Sequence, residues 1–181
     1  TKVTLSIVLD QVMLELQADA SAVLLFNPFT RMLEYAAGRG FRFHVIEGLH
    51  LRLGEGLAGQ SVLQRRAIHI ADLRQADEVE QVMGKPVSGS TVQTLQYLEG
   101  EDFVAYHAIP LIAKGQVQGV FEIFRRTPMH VDQEWISFFE MVAGQTALAV
   151  DNGHLFENLQ HSNLELILAY DATIQGWSQA L

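Results

Sequence analysis

Cysteine is missing from all 181 residues. That absence removes disulfides, thiolate-ligated metals, cysteine nucleophiles and thioether-linked chromophores together. Positive charge is sparse: 12 lysines and arginines stand against 21 aspartates and glutamates, for a net charge of −9. The basic residues come at most in pairs, Arg65-Arg66 and Arg125-Arg126. A phosphate backbone would be repelled overall, and no nucleic-acid partner is expected. Long apolar runs are lacking as well. No stretch approaches the ~20 residues of a membrane span and no basic-then-apolar leader opens the chain, so membrane insertion is not expected and a cytoplasmic location is. Only four prolines occur, and no low-complexity tract or repeat is visible, which sets aside disordered and solenoid architectures.

What is present fits one well-filled globular unit. Apolar residues make up 49% and charged residues 18%, and a domain of about 150 residues buries roughly 70% of its unfolded surface. The chain opens on Thr1, and Leu181 interrupts a helical run, so it reads as a piece of a longer protein.

In "TKVTLSIVLDQVMLELQAD" the residues Leu5, Val8, Leu9, Val12 and Leu16 recur at helical spacing, predicting an amphipathic helix of about four turns. "ASAVLLFNP" and "RMLEYAAGRGF" read as a hairpin, and "LAGQSVLQRR" then "AIHIADL" as a short helix and a strand. Residues 75–100 mix two short helical stretches with Gly-Lys-Pro and Ser-Gly-Ser breaks; such a long irregular connection is usually functional or mobile. "FVAYHAIPLIAKGQVQGVFEIFRR" resolves into two strands joined at "AKGQ". Asp132 is placed to cap a final helix, whose residues 132–150 present a stripe to their own domain. Beyond residue 155 the pattern changes. Phe156, Leu159, Asn163, Leu166, Tyr170, Thr173 and Trp177 alternate spacings of three and four, the seam of a left-handed coil between two copies. Residues 1–155 are therefore expected to form the globular domain and 156–181 a linker helix.

Gly54, Gly56 and Gly59 in "LRLGEGLAGQSVL" match G-x-G-x-x-G, the dinucleotide fingerprint, with Asp72 and Asp77 near the position of the ribose-binding acid. The fingerprint needs a parallel strand before it and a crossover helix after it. Here "FHVIEGLHLRL" is not a clean strand and the neighbouring strands read as hairpins, so the glycines are read as a turn into a short helix. The order of elements predicts an α+β fold: a central antiparallel sheet of about five to six strands, terminal helices on one face, loops and short helices forming a pocket on the other.

Three stretches carry a family resemblance. "LRLGEGLAGQSVLQRRAIHIADL" resembles the central signature of GAF domains, "FVAYHAIPLIAKGQVQGVFEIFRR" their last hairpin and "VDQEWISFFEMVAGQTALAVDNGHLFENL" their closing helix, across about residues 1–160. The resemblance implies a GAF/PAS-like sensory or regulatory domain that binds a small molecule or partner and signals through helices to an output domain. The tail "LELILAYDATIQGWSQAL" is similar to the linker into HD-GYP domains, which hydrolyse cyclic di-GMP. The HD and GYP metal-binding residues are absent, so this chain is not expected to be an enzyme itself. Without cysteine, the family's methionine-sulfoxide reduction and bilin attachment are excluded. The N-K-x-F-D-E signature of cyclic-nucleotide-responsive members is also missing, although a cyclic nucleotide stays admissible because the pocket makes the direct contacts.

Candidate chemistry is thin. No G-x-S-x-G elbow or H-E-x-x-H helix connects Ser61, Ser88, Ser90, Asp72 and Asp102. His154 and His161 share a helix face with Asp151 and Asn158 that reads as solvated, and no metal site or cofactor is expected. His69 and His107 lie inside apolar strands and read as core or pocket-wall residues. The two-residue strand period sends Tyr106 and His107 to opposite faces, so only one of them enters the pocket. By the same period Phe121 and Ile123 meet the helices, leaving Glu122 and Phe124 for the pocket, with Phe43, Asp72, Val92, Leu95 and Tyr97 contributed by loops. The expected partners are a small-molecule ligand and a second copy of the chain, the latter through Phe156, Leu159, Leu166 and Tyr170.

Overall fold

A computed structural model describes residues 2–84, 98, 100–129 and 131–179. Helix α1 spans Lys2–Glu15, followed by strands β1 (Ala20–Asn27) and β2 (Met32–Arg39). A 3₁₀ turn at His44–Gly48 precedes the short β3 (His50–Arg52). Helix α2 (Gly56–Gln64), β4 (Ile68–Ile70) and α3 (Ala76–Met83) come next. The hairpin β5 (Ala105–Ala113) and β6 (Gln116–Arg125) then leads to α4 (Gln133–Gln179). The strands form one antiparallel sheet in the order β3-β2-β1-β6-β5-β4. The expected α+β architecture is the one observed.

Local chemistry sets each junction. At the β1–β2 end Asn27 Oδ1 accepts the amides of Phe29 at 2.9 Å and Thr30 at 3.3 Å, so an Asn-Pro pair that cannot extend a strand closes its own turn. Between β5 and β6, Lys114 (φ 50°) and Gly115 (φ 76°) are both left-handed. That is the two-residue hairpin turn whose twist matches the flanking strands. Asp132 Oδ1 accepts the Trp135 amide at 2.8 Å, capping α4 where its first-turn donors lack helical partners.

Alternation divides the core in two. On one face Val23, Ile109, Leu111, Phe121 and Ile123 pack against Leu5, Leu9 and Val12 of α1 and Phe139, Ala143 and Ala147 of α4. On the other, Ala22, Leu24, Tyr106, Ala108 and Phe124 pack under α2 and the connecting loops through Leu57, Ala58 and Val62. The faces are called the helix face and the loop face below. The buried stripe of α4 ends at Val150, whereas residues 155–170 are exposed on every side. Among the described residues no helix is long and apolar enough to cross a membrane.

The glycine stretch is a backbone device. Gly54 and Gly56 have φ of +85° and +62°, a region that only glycine enters without steric cost. Gly54 N–H donates to Gly59 O at 2.9 Å, and Gly59 N–H donates to Glu55 O at 3.0 Å. A Cβ at Gly59 would stand 2.6 Å from Arg52 O. The amides of Gly54, Glu55 and Gly59 are therefore spent inside the turn, and the preceding β3 is antiparallel to β2, not the parallel strand a dinucleotide unit needs. Nothing here resembles a dinucleotide unit.

Candidate functional site

The loop face carries a polar pair in an apolar setting. β5 presents Tyr106 and β6 presents Glu122; both are fully buried, and the tyrosine hydroxyl donates to Glu122 Oε1 at 2.7 Å. Phe124, two residues along β6 and hence on the same face, lies with its ring centroid 5.3 Å from that of Tyr106. It stacks on Phe103 at 4.9 Å and meets Phe41 edge-on at 5.4 Å. The Tyr106–Glu122 pair thus adjoins a cluster of three aromatic rings, and in such a low-dielectric interior hydrogen bonds are strengthened.

A second acid closes the rim. Glu101, with a side chain only 1% exposed, receives Arg126 at 2.9 Å. It also accepts the amides of Arg42 at 2.8 Å and Phe43 at 2.9 Å. The Arg126 guanidinium continues over the Phe103 ring, 4.7 Å from its centroid. The chain leaving β2, the segment entering β5 and the end of β6 are therefore joined at one carboxylate.

Of the sequence candidates, Tyr106, Glu122 and Phe124 come together on the loop face. Phe43 sits at the rim, half exposed, with its ring against Gly100. Asp72 ends the β4 segment with its carboxylate held by Arg74 at 2.6 and 2.7 Å. Those hydrogen bonds hold its pKa at about 2, so it is anionic and engaged locally. His107 does not line the loop face: strand parity turns it to the helix face, where its ring lies 4.9 Å from Trp135 and 5.4 Å from Phe139. There burial, with His69 alongside, pushes its pKa down to about 3. Val92, Leu95 and Tyr97 lie outside the described residues. The aromatic cluster of Phe41 and Phe103 and the Glu101–Arg126 joint were not foreseen; they bring together residues 21 to 83 positions apart, and no local pattern announces them.

At the other end of the domain an open groove of about 690 Å³ runs between the β1–β2 turn and α4, lined by Phe26, Phe29, Tyr35, His154 and Asn158 among others. Past it the α4 residues Phe156, Leu159, Leu166 and Tyr170 are exposed. No group of three or more His, Asp or Glu residues that could hold a metal ion gathers among the described residues.

A sheet with the terminal helices on one face, and a short helix and loops over a buried tyrosine–glutamate pair on the other, has the architecture of a regulatory sensor domain. A family model described as the GAF domain matches residues 2–151, and the chain belongs to that family. Solved structures agree in fold. A GAF domain/HD domain protein from Geobacter sulfurreducens superposes with a TM-score of 0.67 at 15% identity, covering 85% of this chain and 94% of its own. The GAF domain of a two-component sensor histidine kinase from Bacillus halodurans gives 0.65 at 18%, covering 84% and 97%. The GAF domain of an Acinetobacter phosphoenolpyruvate-protein phosphotransferase gives 0.65 at 18%, covering 81% and 80%. No curated protein sequence matches.

Proposed function

We propose that this GAF domain is the input module of a bacterial signal-transduction protein. A small polar ligand is taken on the loop face, and the change passes through the sheet to α4. Two copies of α4 pair beyond residue 155 and drive an output domain. The observation that carries this reading is the length of α4: 47 residues, of which the packed stripe ends at Val150 while apolar residues continue in a seven-residue repeat. A helix that outruns its globule with an apolar seam is stabilised by covering that seam with another helix. For the ligand, Glu122 and Tyr106 offer an acceptor and a hydroxyl beside the aromatic rings of the loop face, which favours a ligand bearing hydrogen-bond donors. For the output, an HD-GYP cyclic di-GMP phosphodiesterase domain is the reading favoured by the tail, and the Geobacter neighbour is named for a GAF/HD combination.

A second reading, a relay and dimerisation module with no ligand of its own, is favoured by the aromatic packing of Phe41, Phe103 and Phe124, which fills space on the loop face. Native mass spectrometry joined to a thermal-shift panel of metabolites separates the two. A retained small-molecule mass, or a metabolite that raises the melting temperature by mass action, supports the sensor. A clean apo mass with no stabilising metabolite supports the relay.

A further inference from the structure

Outside the loop face, one cluster of chemically capable side chains has no part in the proposed sensing: the two histidines at the β4–β5 edge. In the antiparallel register His69 stands directly opposite His107, so both rings leave the sheet on the helix face. Their Nδ1 atoms are 3.3 Å apart. That is long for an N–H···N hydrogen bond between neutral imidazoles, whose N–H···O analogues cluster near 2.9–3.0 Å. It matches two ligands of one tetrahedral ion: with metal–nitrogen bonds of about 2.0–2.1 Å, neighbouring donor atoms lie about 3.3–3.4 Å apart.

We infer that His69 and His107 form a binding site for a divalent transition-metal ion that prefers imidazole, of the zinc, nickel or copper class. The site is preorganised on one side and open on the other. His107 is 4% exposed and its ring is fixed between Trp135 and Phe139 of α4, so little rotamer freedom is lost on binding. Its burial keeps the imidazole neutral, the form that ligates a metal. His69 is exposed on β4, which ends the sheet, so an ion reaches the pair from solvent. With an ion between them both rings carry their proton on Nε2. No group of three or more His, Asp or Glu gathers among the described residues. The site inferred here draws two protein ligands from the described residues, fewer than the four of a closed structural site. The net charge of −9 raises the local concentration of cations. Because Trp135 and Phe139 belong to the first turns of α4, the ion would bind against the base of the relay helix, independently of any ligand on the loop face.

The test is calorimetric titration of zinc chloride into the 181-residue chain, free of any affinity tag, beside His69→Gln, His107→Gln and His161→Gln. One zinc per chain is expected in the wild type, with affinity falling at least about tenfold in His69→Gln and His107→Gln. It should be unchanged in His161→Gln, whose imidazole lies on the exposed helix 3.8 Å from Glu165. In a Trp177→Phe background, copper should quench the remaining Trp135 emission, and His69→Gln should abolish that quenching at the same copper concentration. If His107→Gln does not fold, the edge-strand variant decides alone. Absence of zinc binding in the wild type, or equal affinity in His69→Gln, overturns the assignment.

Discussion

Arg126 holds its guanidinium 2.9 Å from the carboxylate of Glu101, and that carboxylate also accepts two backbone amides, those of Arg42 and Phe43. Removing the arginine leaves a nearly inaccessible carboxylate without its counter-charge, and breaking such a pair from one side costs about 3–5 kcal/mol. Arg126→Ala should therefore lower the urea midpoint sharply, while Arg126→Lys, which keeps the charge and loses the fork, should fall between. An Arg126→Ala protein within about 1 kcal/mol of wild type would mean the joint is solvated in solution.

Gly59 is crowded by backbone rather than by side chains. The Cβ of alanine there would meet Arg52 O at 2.6 Å and Gly54 N at 3.0 Å, neither of which can rotate away. Gly59→Ala is expected to destabilise by about 2 kcal/mol or more. Gly48→Ala, where a Cβ meets nothing within 4 Å, should stay within about 0.5 kcal/mol of wild type. Chemical denaturation of the pair checks both values, and equal midpoints would contradict the close approach.

The fold divided legibly between what strand parity carries and what it does not. In "VAYHAIP" and "GVFEIFRR" the two-residue period separates Tyr106, Glu122 and Phe124 from His107, Phe121 and Ile123, and the structure keeps that separation. Helix α1 was visible in the spacing of Leu5, Leu9, Val12 and Leu16 for the same reason: a local period is a property of the sequence itself. Glu101 and Arg126, or Phe41 and Phe103, are joined by the path of the loops, which no period encodes. The contact of His69 with His107 depends on the register of β4 against β5, fixed only once the whole sheet is assembled.

His107 gives an acid-sensitivity with a defined direction. Its folded pKa of about 3 lies below the ordinary 6.5. Between those values the unfolded chain binds a proton that the folded one does not, so stability falls as pH drops from about 6.5 towards 3 and is fully present above that window. The groups packed around it are His69 from β4 and the uncharged Trp135 and Phe139 from α4. His107→Phe should flatten this dependence, in denaturant melts at pH 7 and pH 4.5, by an amount on the order of 2–3 kcal/mol. Parallel losses in wild type and variant would assign the acid-sensitivity to other groups.

Leu166 is 70% exposed on α4, in the centre of the apolar seam. Leu166→Lys should convert a dimer into a monomer on sedimentation while leaving the thermal transition of the domain in place, since the residue touches no part of the core. A wild-type chain that sediments as a monomer at tens of micromolar would refute the coil.

Asp151 receives Lys114 at 2.9 Å and Gln118 at 3.1 Å, both from the far end of the β5–β6 hairpin, one residue after the last buried position of α4. The hairpin therefore grips the helix at a fulcrum. Beyond it the roughly 28 residues to Gln179 extend about 42 Å at 1.5 Å per residue. A tilt of about 5° at Asp151 would then sweep the far end sideways by nearly 4 Å, about the distance between adjacent Cα atoms. In the proposed relay a lever of this length would have mechanical gain, turning a small displacement of the sheet into a sideways shift of several ångström at the tip.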